Sequence, residues 1–109
     1  MSVNSVSINQ EELNELRIKS AVHDRLVKHL DKRKDVQNID LMILSGFCRN
    51  CLCKWYFAEA NTQGLDIDMD EARRRIYGME YSDWKKKYQS PATDAQLTAF
   101  NDIKPEQTS

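Results

Sequence analysis

Residues 35–64 read DVQNIDLMILSGFCRNCLCKWYFAEANTQG. This is the longest apolar-rich stretch of the chain, and it carries all three cysteines and one of the two tryptophans. Placed at about 100° per residue, its apolar side chains separate into two stripes on opposite faces. Leu41, Leu44, Cys48, Cys51, Leu52, Trp55 and Ala58 share one face. Ile39, Met42, Ile43, Gly46, Cys53, Phe57 and Ala60 share the other. A helix that is apolar on two opposite sides is buried on both. The pattern predicts one long central helix, with Asp35 as N-cap and Gly64 as a left-handed stop after Thr62.

On the N-terminal side, Leu13, Leu16, Ser20, His23, Val27 and Leu30 recur at helical spacing between about Asn9 and Lys34. Asn9 is the expected N-cap. Glu11 and Glu12 fall in the first turn and Lys32, Arg33 and Lys34 in the last, each where its charge suits the helix dipole. On the C-terminal side, Asp68 with Glu71 reads as a capping box for DEARRRIY, which should stop at Gly78. A further helix, from about Glu80 to Gln89, puts Tyr81, Trp84 and Tyr88 on one face. Ser90-Pro91 ends it, and Thr93 with Gln96 opens a last helix to about Ile103. The expected fold is all-α: a compact array of about five helices around one long central buried helix. A single helical domain should span 9–104, with flexible tails at 1–8 and 105–109.

Composition agrees with that class. The chain has 109 residues, 40% hydrophobic and 30% charged, with only three glycines and two prolines to break helices. Seventeen acidic and sixteen basic residues give a net charge of −1, which offers no overall attraction to nucleic acid or acidic membrane. No apolar run approaches the roughly 20 residues of a spanning helix. The N-terminus lacks the basic start and apolar core of a secretory signal. A cytoplasmic location follows, where thiols stay reduced, and an odd number of cysteines argues against a disulfide framework.

Cys48-x-x-Cys51 is the sharpest chemical feature. In one long helix the two thiols lie on one face, about a turn apart. They can pack as small hydrophobes, or serve as zinc ligands with His23 or His29 supplied by the first helix. Zinc is the one candidate cofactor, and no second CxxC or His-x₃-His completes its ligand set. A redox role needs the pair at a helix N-terminus, whereas a continuous helix from Asp35 buries it more than three turns inside. Cys53 projects to the other stripe. That second stripe, with Ile39, Met42, Ile43, Gly46, Cys53 and Phe57, is the expected homodimer interface, since glycine admits a close backbone. Association as a homodimer is thus the leading functional expectation.

Asp66-x-Asp68-x-Asp70 opens like a calcium loop, but Glu71 stands where the turn glycine belongs and Tyr77 where the twelfth-position Glu belongs. Three basic triplets, Lys32–Lys34, Arg73–Arg75 and Lys85–Lys87, with Tyr77, Tyr81, Trp84 and Tyr88, form a weaker case for RNA. Each triplet lies near a helix end, where cations offset the dipole. No catalytic constellation is present: there is no phosphate loop, no nucleophile elbow and no Ser-His-Asp set.

DVQNIDLMILSGFCRNCLCKWY followed by IYGMEYSDWKKKYQ resembles the short proteobacterial proteins of domain-of-unknown-function family 1244. The resemblance spans roughly Ala21 to Phe100 and rests on two long motifs in order. It implies an all-helical fold and no established activity. Asp35, Gln37, Asn38, Asp40, Gly46, Phe47, Cys48, Arg49, Asn50, Cys51, Lys54, Trp55, Tyr77, Gly78, Tyr81 and Trp84 match the family pattern. Ile43, Cys53 and Glu80 depart from it, so Cys53 is the cysteine least tied to any shared role.

Overall fold

A computed structural model of the chain describes residues 8–103. Among them are six α-helices and no strand: α1 (Gln10–Lys32), α2 (Asn38–Ser45), α3 (Arg49–Thr62), α4 (Met69–Tyr77), α5 (Tyr81–Tyr88) and α6 (Asp94–Asp102). The all-α class is as the sequence predicts. The tails expected at 1–8 and 105–109 fall almost wholly outside the described residues. The described chain divides into two compact units at Lys32/Arg33.

The first unit is α1. Asn9 caps it as expected: its Oδ1 accepts the Glu12 N–H at 2.8 Å, and the Glu12 carboxylate accepts the Asn9 N–H at 3.3 Å. This reciprocal pair satisfies two of the N–H groups that a helix start leaves open.

The second unit holds α2 to α6, and here the long central helix has to be corrected. The stretch is two helices joined by a corner. Gly46 adopts the left-handed conformation at φ 77°, and its N–H donates back to the Met42 carbonyl at 2.9 Å. A left-handed residue ends an α-helix, and only glycine adopts it without a Cβ penalty. Ser45 adds to the stop by turning its hydroxyl onto the Leu41 carbonyl at 2.8 Å. The chain then runs extended through Cys48, whose carbonyl accepts the first N–H groups of α3 from Cys51 and Leu52. Asp35 is not the cap of α2. Gln37 is, with its N–H held by Asp40 Oδ2 at 3.0 Å, while Asp35 forms a paired hydrogen bond with exposed Arg33.

The remaining helices follow their sequence signals. Asp68 caps α4 by accepting the Glu71 N–H at 2.8 Å, but the Glu71 carboxylate turns away from a full box toward Arg74 and Arg75. Gly78, at φ 74°, stops α4. Thr93 and Gln96 form the expected reciprocal box at the start of α6. α3 packs mainly on α4, α4 on α5, and α2 on α6. Apolar spacing along α4 buries Ala72, Ile76 and Tyr77, and α5 contributes Trp84, 2% exposed. A second cluster joins Met42, Cys48 and Cys51 to Leu41, Phe47, Phe100 and Ile103.

Because the corner depends on a left-handed residue, Gly46→Ala should lower stability by about 1–2 kcal/mol. Urea denaturation followed by circular dichroism measures this. Retained stability would show that the corner tolerates a Cβ.

Candidate functional site

The break at Gly46 changes what the CxxC pair is. Cys48 is the N-cap residue of α3 and Cys51 lies three residues on, in its first turn. Both thiols therefore sit at a helix N-terminus, the location that a continuous helix had denied them. Burial pushes the Cys48 thiol up from its ordinary value. The N–H groups of Cys51 and Asn50 pull it down, and the neighbouring Cys51 thiol adds to the rise. Cys51 Sγ lies 3.9 Å from the thioether sulfur of Met42. No disulfide links the three cysteines.

These sulfurs line one wall of a pocket of about 500 Å³ within the second unit. That volume falls in the range of small-ligand sites. Gln37, Asn38, Asn50 and Tyr81 supply amide and phenol groups, while Ile39, Pro91 and Phe100 supply apolar surface. Lys54 is the one charged side chain in the lining.

Behind the pocket runs a directed chain of hydrogen bonds. Arg49 Nη1 donates to Asn38 Oδ1 at 3.0 Å, and Asn38 Nδ2 donates to the Tyr77 hydroxyl at 3.1 Å. That hydroxyl donates to Asn50 Oδ1 at 2.6 Å, and Asn50 Nδ2 reaches the Tyr81 hydroxyl at 3.3 Å. Arg49 also donates to the carbonyls of Val36 and Arg33 at 2.9 and 2.8 Å, and its guanidinium lies 5.3 Å from the Trp84 ring centre. Burying an arginine to 3% exposure is tolerable only with such partners. Tyr77 packs in tilted ring contacts against both Tyr81 and Trp84, and its burial raises its hydroxyl above the ordinary phenol range.

The other sequence candidates are distributed as follows. His23 and His29 lie on α1, with His23 Nδ1 3.3 Å from Asp24 Oδ1. Among the described residues no three His, Cys, Asp or Glu side chains gather as a metal-holding group. Of the interface candidates, Met42 and Cys53 are buried, and Ile39, Ile43, Gly46 and Phe57 are half-buried. Arg73, Arg74 and Arg75 pair with Asp70, Glu71 and Glu80. Trp84 is sealed in the core, which removes the main stacking platform of the RNA case. The sequence offers Met42 only as an interface residue and Tyr77 only for RNA stacking, and it gives Asn38 no site role. The helical stripe hid Met42 by assigning it to the face opposite the thiols.

A small all-α unit, with a buried Arg–Asn–Tyr chain behind a dithiol pocket, is the class that fold and site define. The family model described as "Protein of unknown function (DUF1244)" matches residues 36–102, more than half of the chain, and the chain belongs to that family. The matched segment falls within the second unit and includes the pocket and the hydrogen-bond chain. No curated protein matches the sequence. Among the described residues no helix is long and apolar enough to cross a membrane.

Cys53 stands apart from the pocket lining. It is 1% exposed, and burial pushes its thiol from the ordinary 9.0 up to about 12. The folded chain holds that proton to higher pH than the unfolded chain does. The stability contributed by the neutral thiol is therefore full below about pH 9 and is lost as pH climbs toward 12. Denaturation midpoints measured across that interval should fall with pH, and fall less steeply in Cys53→Ala. Equal slopes would show that Cys53 titrates as it does in water.

Proposed function

We propose that this chain is a thiol-based binding protein, in which Cys48 and Cys51 act together on a thiophilic ligand that enters the pocket. The observation that carries this is the Gly46 corner, which places both thiols in one helix turn on the pocket wall. In the reducing cytoplasm proposed for the chain, the pair is a ready dithiol. The raised Cys48 thiol argues against fast thiol–disulfide exchange, because the thiolate is the nucleophile. It is compatible with a ligand that displaces two protons at once. Zinc held by the same pair is an alternative form of this function. It would show as stoichiometric zinc in protein purified without an affinity tag.

Phenylarsine oxide tests the pair directly, since its arsenic bridges two neighbouring thiols. Two As–S bonds form, the two thiol protons leave with the oxide oxygen as water, and no electrons change hands. Mass spectrometry of the folded protein should show one adduct per chain. The adduct should be lost in Cys48→Ser and in Cys51→Ser and kept in Cys53→Ala. A folded protein that takes no adduct, or takes it through Cys53, refutes the proposal.

Self-association is a second function, favoured by a specific feature. Leu44 is 85% exposed, and Trp55, stacked on Phe47 at 6.0 Å between ring centres, is 39% exposed. Exposed large apolar groups of this kind mark contact surfaces when they are contiguous. Light scattering at micromolar concentration should give the dimer mass, falling to the monomer mass in Leu44→Glu. A monomer at every concentration tried removes this function.

A further inference from the structure

Three sulfur-bearing side chains cluster at the corner between α2 and α3. Met42 comes from the last turn of α2, and its carbonyl accepts the Gly46 N–H that ends the helix. Cys48 and Cys51 come from the N-cap and first turn of α3. All three side chains belong to one buried cluster, and all three line the same pocket. Cys51 Sγ and Met42 Sδ are 3.9 Å apart. Sulfurs bound to one metal at about 2.3 Å in a planar trigonal array lie about 4 Å from each other. The observed separation, at which the Cys51 thiol donates to the Met42 thioether, is also short enough for both sulfurs to share a single ion.

The donor set selects the ion. Two thiolates and a thioether are soft ligands, which favour monovalent copper over hard cations. Zinc prefers four ligands drawn from thiolate, imidazole and carboxylate, and the described residues gather no third group of those types near the pair. Monovalent copper is content with three. Leu41, Phe47, Phe100 and Ile103 pack around the three as apolar neighbours, and the Asn38 and Asn50 amides on the same pocket are engaged with Arg49, Tyr77 and Tyr81.

We propose that Met42, Cys48 and Cys51 form a three-sulfur site for monovalent copper, reached through the pocket. This rests on the thiol-binding function above for the accessibility of Cys48 and Cys51, and adds to it the third ligand and the identity of the ion. Binding releases both thiol protons and leaves copper in the +1 state, so no electron transfer is involved. The site then carries a net charge of −1 at the N-terminus of α3, where a negative charge is favoured. Because protons compete with the ion, apparent affinity rises with pH. Cys53 takes no part.

The test is an anaerobic titration of the whole reduced chain with monovalent copper, in competition with the chelator bathocuproine disulfonate. X-ray absorption of the loaded protein and the phenylarsine oxide adduct are recorded on the same preparation. One copper per chain is expected, with three sulfur neighbours. Cys48→Ser and Cys51→Ser should abolish binding. Met42→Leu conserves volume and leaves the core intact. It should weaken binding by ~10-fold or more and reduce the sulfur count to two. If Met42→Leu retains both affinity and three sulfurs, or if wild-type protein that takes the arsenical fails to compete for copper, the copper site is overturned while the thiol pair stands. If the arsenical also fails, the thiols are unreachable and both proposals fall together.

Discussion

Arg49 is the residue on which the second unit turns. Its guanidinium is almost fully buried, and it donates to the carbonyls of Arg33 and Val36 and to the Asn38 side chain while lying against Trp84. A buried cation without acceptors would be strongly destabilising, so each of those groups must be in place for the unit to be stable. The acceptors come from the segment before α2, the start of α2, and the ring from α5. A planar fork of fixed N–H directions can serve them together, where the single ammonium of a lysine cannot. One side chain thereby sets the position of α3 relative to α2 and α5.

From Arg49 the polar order passes outward without a gap. Asn38 uses its oxygen for Arg49 and its amide for Tyr77, so its orientation is fixed. Asn50 uses its oxygen for Tyr77 and its amide for Tyr81. Among the described residues no buried side-chain nitrogen or oxygen lacks a partner. A fully satisfied network of this kind is rigid. The pocket beside it thus has a fixed polar wall, while its sulfur wall is set by the Gly46 corner. The tie between the two is sequence adjacency: Cys48, Arg49, Asn50 and Cys51 are consecutive, with Cys48, Asn50 and Cys51 lining the pocket and Arg49 supporting it.

The helical class, the caps at Asn9, Asp68 and Thr93, and the stop at Gly78 were legible because each depends on local chemistry within a few residues. The corner at Gly46 was not legible, although Ser45-Gly46 is a turn-forming pair. Helical periodicity across the break was good enough to conceal it, since Leu41, Leu44, Cys48 and Cys51 keep three- and four-residue spacing through the interruption. The concealed corner had two consequences. It put Met42 and the thiols on opposite faces, and it set the redox-type position of Cys48 aside. The matched motif residues pointed to the right region: Asn38, Arg49, Asn50, Tyr77, Tyr81 and Trp84 prove to be one network. Which of them touch was beyond the sequence, because the contacts join residues 11 to 39 positions apart.

Gln37 has a consequence for how the chain reaches this state. Its side-chain amide donates to the Tyr88 carbonyl, and its oxygen accepts the Ser90 N–H, across 51 and 53 positions. Asp40, which caps the same helix start, is held by Gln96 across 56. α2 is only eight residues long, too short to persist alone in water. Its start is therefore secured by segments that are synthesised later. During translation the cysteine-bearing corner has no completed fold around it until α5 and α6 have emerged. Such long-range closure is slow relative to helix formation and leaves apolar surface open meanwhile. The interval in which Cys48, Cys51 and Cys53 are all open to solvent is thus set by the C-terminal third of the chain.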